Sequence, residues 1–120
     1  MAIEFEIEDR RIDAGTHLVA VSGEIDLFTA PAFKQRMSKP IDAGCSRLIV
    51  DLSRTTFIDS SSLGVLIGAH RRLKRAGGSL VVVSASDAIA KTFKITGLDG
   101  VFTLAPTVES ALPADAAPAD

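Results

Sequence analysis

Tryptophan and tyrosine are absent from the 120 residues, and cysteine occurs once, at Cys45. A lone cysteine excludes an intrachain disulfide and any zinc cluster built on several thiolates. The missing aromatics, with 13 basic residues set against 15 acidic ones, remove both the stacking platforms and the positive field on which nucleic-acid binding rests. No direct contact with nucleic acid is expected. Nowhere do eighteen or more apolar residues follow one another, so no membrane insertion is expected either. The opening MAIEFEIEDRR alternates acidic with apolar residues and lacks the basic-then-apolar order of a leader, which reads as a cytoplasmic chain. The phosphate-cradling patterns GxxxxGK(S/T) and GxGxxG are missing, and His17 and His70 stand apart with no carboxylate pattern beside them. Neither a cofactor nor a metal is expected.

What is present favours one folded domain. Hydrophobic residues make up 47% and charged residues 23%, a balance that supports a core. The length suits a single domain over residues 1–112, followed by PADAAPAD at 113–120, a tail without a large apolar anchor that is expected to be flexible. Residues 3–7 alternate Ile3, Phe5 and Ile7 with Glu4 and Glu6, the two-residue period of a half-wet strand. A turn at Asp13–Gly15 returns the chain into a second apolar strand over 17–23, which makes a hairpin. Leu48–Val50 and Leu80–Val83 are short, nearly continuous apolar runs, as buried central strands are.

Between those two runs, Leu63, Leu66, Ile67, His70 and Leu73 form one stripe of a helix predicted over 60–76. Arg71, Arg72, Lys74 and Arg75 complement the dipole at its end, and Gly77–Gly78 stops it. Gly64 and Gly68 are expected to pack closely against the sheet. An earlier helix is predicted to start at Thr29 as a cap, with Pro31 in its first turn, and to end near Ser38 before Pro40. Phe28 is expected to turn inward, with an exposed anchor as the alternative. A third helix over 86–95 with Ser86 as cap, a short strand at 101–104 and a weak last helix at 107–112 complete the pattern. The fold class is α/β, a mixed sheet covered by helices.

The run Thr56-Phe57-Ile58-Asp59-Ser60-Ser61-Ser62-Leu63 carries the functional signal. Asp59 stands at the helix cap position, where its carboxylate accepts first-turn amides, and three small hydroxyl residues follow. Capping alone accounts for such a pattern in most proteins. A phosphate placed there brings roughly -1.5 to -2 charge, and a helix N-terminus tolerates it because free amides and the dipole both favour an anion. His70 lies nine positions beyond Ser61, about 13 Å of helical rise, so it is no base for that serine and a nucleophile triad of a small hydrolase does not assemble. His70 reads instead as a core or boundary histidine.

The run FIDSSSLGVLIG resembles the phosphorylation-site signature of the bacterial anti-sigma factor antagonists, small STAS-domain proteins, and SGEIDLFTAPAF at 22–33 resembles their other characteristic motif. With the element order, the resemblance covers nearly all of residues 3–112. It implies a single STAS-like domain that, unphosphorylated, binds an anti-sigma factor serine kinase and so releases a sigma factor. It also implies that serine phosphorylation breaks this complex and that a PP2C-type serine phosphatase restores it. The chain is then a substrate of enzymes and not an enzyme. The matching acceptor is Ser61, with Ser60 and Ser62 as alternatives. Implied partner contacts are Glu24, Asp26, Thr29, Asp59, Ser60, Ser61, Ser62 and Leu63. Ser62 departs from the pattern, whose usual residue there is glycine, and adds a β-carbon where a kinase backbone approaches. The competing role is a STAS adaptor of a signalling assembly or an accessory subunit of a membrane transporter, without the phosphorylation switch.

Overall fold

A computed structural model describes residues 4–84 and 86–112. Ile3 of the first predicted strand and the tail 113–120 lie outside the described residues. The chain runs β1 (Glu6–Arg11), β2 (Thr16–Ile25), α1 (Ala30–Asp42), β3 (Arg47–Ile58), α2 (Ser60–Arg75), β4 (Ser79–Val83) and α3 (Asp87–Ile95). A 3-10 turn (Leu98–Gly100), β5 (Thr103–Ala105) and α4 (Val108–Ala111) follow. The five strands form one sheet in sequential order. Only β1 is antiparallel to its neighbour, and β2, β3, β4 and β5 pair in parallel through helical crossovers.

The period-2 strands sort their side chains between two cores. Val19, Val21, Leu48, Val50, Leu80 and Val82 face α1, α2 and α3, which bring Phe33, Met37, Leu66, Leu73, Ile89 and Phe93 against them. The opposite face carries Leu18, Ile49, Val81 and Val83 under Ala111 of α4. Both faces of β3 and β4 are covered, which is why their sequences run almost continuously apolar.

Three elements depart from the sequence expectation, the first being the edge strand, which spans Glu6–Arg11 and not residues 3–7 because the pairing with β2 runs from Glu6↔Ser22 to Arg11↔His17. The first helix does not stop near Ser38 but continues through buried Pro40 to Asp42. Proline falls in the last turn, where its missing donor costs one helical bond. The end is closed instead by Gly44, at φ 94°, and by the Cys45 amide, which donates to the Pro40 carbonyl at 3.0 Å. The third strand is far longer than Leu48–Val50, because β2 pairs with it up to Ile25↔Ile58 while β4 reaches only Asp51. Beyond Asp51 the strand has one neighbour, so polar residues such as Ser53, Arg54 and Thr56 are exposed there and mask the strand pattern.

The register slips between Gly23 and Glu24, where Gly23 pairs with Thr55 and Glu24 with Phe57. Gly23 takes φ 86°, which a residue with a β-carbon resists, so the bulge falls where the sequence supplies glycine. The slip carries the end of β2 alongside the end of β3.

Gly64 and Gly68 do not pack against the sheet. Both are exposed on α2, and a β-carbon at either would meet no atom within 4 Å. Glycine inside a helix costs backbone entropy without return from internal packing here. Gly68→Ala is therefore expected to stabilise the fold by about 1 kcal/mol, raising the melting temperature by roughly 4 °C. Calorimetry of the variant checks this, and an unchanged or lowered melting point would contradict it.

Candidate functional site

The mouth of α2 is assembled from the parallel ends of β2 and β3. The Ile25 carbonyl, at the last residue of β2, accepts the Asp59 amide at 3.2 Å and the Ser62 hydroxyl at 2.9 Å. One oxygen thus ties the start of α2 to the start of the β2–α1 loop. Asp59 caps α2 as its sequence position demands. Its Oδ1 accepts the Ser62 amide at 3.0 Å and the Ser61 hydroxyl at 2.6 Å, and lies 2.9 Å from the Ser62 hydroxyl. The Ser61 hydroxyl and then the Ser62 amide hold the Asp59 carboxyl below its ordinary value, so it is ionised at neutral pH.

The three serines differ sharply in access. Ser60 is exposed, Ser61 is half-buried with its hydroxyl given to Asp59, and Ser62 is fully enclosed at 0% exposure. Ser62 sits where the motif usually has glycine and spends its hydroxyl inside the fold, so it is removed from the set of reachable hydroxyls. Leu63 is also buried, in the main core, and offers little surface to a partner.

The second motif folds into a tight loop beside this mouth. The Asp26 carboxylate accepts the amides of Phe28 at 2.9 Å and Thr29 at 3.1 Å. Thr29 does not cap α1 through its side chain. Its hydroxyl accepts the Asp26 amide at 2.8 Å and lies 3.2 Å from both the Glu24 carbonyl and the Asp26 carboxylate. Thr29 is consumed in holding the loop, whereas Glu24 points to solvent and Asp26 is half-buried.

Phe28 reverses the expected inward packing. With Asp26 holding the amides of Phe28 and Thr29, Leu27 and Phe28 face outward, 68% and 88% exposed. Phe57, beside Glu24 on β3, is 48% exposed. Sequence reasoning did not find Leu27 or Phe57 as surface residues. The available signal was Gly23, whose positive φ marks the register slip at which β3 carries the extra residue Thr56.

The remaining candidates lie elsewhere. His70 stacks edge-on against Phe102 with ring centroids 5.3 Å apart, and burial followed by the Lys74 charge lowers its pKa, so it stays neutral and away from the serines. Burial raises the Cys45 thiol, which disfavours a reactive thiolate. Among the described residues no cluster of three or more histidine, cysteine, aspartate or glutamate side chains is placed to hold a metal, and no helix is long and apolar enough to cross a membrane.

A mixed sheet whose β3–α2 junction offers small hydroxyls beside a capping carboxylate defines the class: residues 9–111 match the STAS domain model, and the chain belongs to that family. Several of its relatives are named anti-sigma factor antagonists. The anti-sigma-B factor antagonist of Listeria monocytogenes is 34% identical over 105 residues, 87% of this chain and 90% of that one. An anti-sigma factor antagonist from Mycobacterium paratuberculosis has a TM-score of 0.77 at 34% identity, over 92% of this chain and 91% of that one. The anti-sigma factor antagonist SpoIIAA in unphosphorylated form gives 0.75 at 27% identity, over 90% and 92% of the two chains. Its phosphorylated form, from Bacillus, gives 0.68 at 26% identity, over 90% and 96%.

Two outcomes follow for the mouth. A carboxyl with a depressed folded pKa contributes stability above its unfolded value, near 3.8, and loses it as pH falls through the folded value. Asp59→Ala is expected to melt below the parent at neutral pH, with the difference closing as pH drops below 3.8. Melting curves across that range check it, and a gap undiminished at about pH 2 would refute the carboxylate's role. Ser62→Ala is expected to cost about 1 kcal/mol in urea unfolding, since the Ile25 carbonyl keeps the Asp59 amide as a donor.

Proposed function

We propose that the unphosphorylated chain docks on an anti-sigma factor through the α2 mouth and the adjoining loop, freeing a sigma factor, and that phosphorylation of a mouth serine ends the complex. The anti-sigma factor is itself the serine kinase, and a PP2C-type phosphatase returns the chain to its binding state. The observation that carries this reading is an exposed serine on the first turn of α2, next to the capping Asp59, with three exposed apolar side chains on the adjoining β2–α1 loop and the end of β3. Leu27, Phe28 and Phe57 supply the apolar contact area, and Glu24, Asp26 and Asp59 supply acidic character at its edge.

Access favours Ser60 as the acceptor ahead of Ser61, the motif-matched serine, and leaves Ser62 aside. The Ser60 oxygen forms the new bond to the γ-phosphorus of ATP while the bond from that phosphorus to the ADP oxygen breaks, and the serine proton passes to a base on the kinase. Asp59 is a poor candidate for that base, because its hydrogen bonds favour the ionised form and lower its proton affinity. The phosphate then meets the free amides and dipole of α2, so the fold is retained. A partner shaped for a neutral hydroxyl meets instead roughly two negative charges beside the acids already there. SpoIIAA itself is known in both forms, as a relative would be if its fold survives the modification.

Incubation with the kinase and ATP, followed by site-resolved mass spectrometry, is expected to locate the phosphate on Ser60. Ser60→Asp is expected to weaken kinase binding at least about tenfold, equivalent to about 1.4 kcal/mol, while Ser60→Ala binds as the parent and is not modified. Phosphate found on Ser61 would move the acceptor by one residue. Phosphate on neither serine, with binding equal for both variants, would reject the switch and favour an adaptor role.

A further inference from the structure

Alongside the mouth, α1 and α2 enclose an open groove of about 600 Å³ that no described residue fills. It starts at Ser61 and follows α2 past Gly64 and Gly68 to Arg75, about 21 Å of helical rise. Three features of the groove point to one kind of occupant. Its floor is apolar, formed by Met37, Ile41 and Val65. Its rim is cationic: Lys34, Arg71 and Arg75 have no ion pair among the described residues, and only Arg72 is matched, by Asp42. Its α2 wall is stripped at Gly64 and Gly68, where no intramolecular neighbour requires glycine. Bare backbone of this kind lets another main chain approach closely.

A nucleotide fits these features badly, since no aromatic ring lines the groove to stack a base. A polypeptide with apolar residues on one face and carboxylates along its flanks satisfies all three at once. We propose that the α1–α2 groove receives an acidic amphipathic segment of the partner protein, with its apolar side on the floor and its carboxylates against Lys34, Arg71 and Arg75. The proposal rests on the anti-sigma factor reading only for which protein carries the segment.

The groove is tested first with a defined probe, a helical peptide of about 18 residues bearing leucine and alanine on one face and glutamate on both flanks. Titrated into the isotope-labelled full chain, it is expected to shift the amide signals of Gly64, Val65, Gly68 and Arg71. Its affinity is expected to fall at least about tenfold in the double variant Arg71→Glu/Arg75→Glu, and to fall with added salt. A peptide with lysine in place of glutamate is expected not to bind. Absence of shifts along α2, or equal binding of the two peptides, would overturn the proposal. The same double variant is then measured against the anti-sigma factor kinase beside Ser60→Asp. Weakening by both supports a two-part interface. Loss by Ser60→Asp alone overturns the groove and leaves the switch standing. Groove-dependent peptide and kinase binding with no effect of Ser60→Asp does the reverse. Gly68→Ala and Gly68→Leu separate folding from approach: neither is expected to lower the melting temperature, yet each places carbon on the bare wall and weakens the peptide, leucine more than alanine, and full-affinity binding by Gly68→Leu would overturn the close approach.

Discussion

The Ile25 carbonyl is the hinge-pin of the molecule's working end. It closes β2, receives the first amide of the β3–α2 junction and receives the Ser62 hydroxyl from the first turn of α2. Because that one acceptor belongs to the residue before Asp26, the serine-bearing turn and the apolar loop cannot move independently. Asp59 extends the arrangement by drawing the Ser61 hydroxyl and the Ser62 amide to the same oxygen. What remains outside this web is a single mouth hydroxyl, that of exposed Ser60, on a base held from beneath. Ser62 therefore does more than tolerate the place of a usual glycine. It adds a buried hydrogen bond between the helix and the sheet, and so stiffens the platform on which the accessible hydroxyl stands.

Burial and periodicity explain which parts of this were legible in the residue order. The hairpin, the βαβ unit around α2 and the capping role of Asp59 follow local rules, and these are the parts the sequence reading reproduces. Reading failed where one residue changes the phase of what comes after it. At the register slip opposite Gly23 and Glu24 the extra residue is Thr56 of β3, so Phe57 emerges on the wet side of a strand whose alternation predicted nothing of the kind. Asp26 captures the amides of Phe28 and Thr29, so a phenylalanine expected in the core is held in solvent. Ser62 and Leu63 were grouped with the partner-facing residues because the motif is contiguous, whereas a helix distributes contiguous residues around its circumference. A linear motif marks where a site is, and helical geometry decides which of its members face outward.

The two glycines of α2 make the same point in energetic terms. Natural helices rarely keep two glycines a turn apart on an exposed face unless something external needs the room, because each weakens the helix that carries it. Here the weakness falls on the face shared with α1, beside the serines and among unpaired arginines.

Charge along α2 is consequently split between its ends. Acids gather at the mouth, through Glu24, Asp26 and Asp59, and arginines gather along the groove toward Arg75. A partner that matches both must carry cationic character near the mouth and acidic character along its flank, which permits one orientation and penalises the reverse. In that geometry a phosphate acts on one end alone. In the proposed switch its bulk and tightly held water block the close fit at the mouth despite the partner's cationic character there, while the groove contact stays chemically unchanged. Under the proposed switch the groove would contribute affinity and orientation in both states, and the mouth the difference between them, which is the only quantity a switch can use.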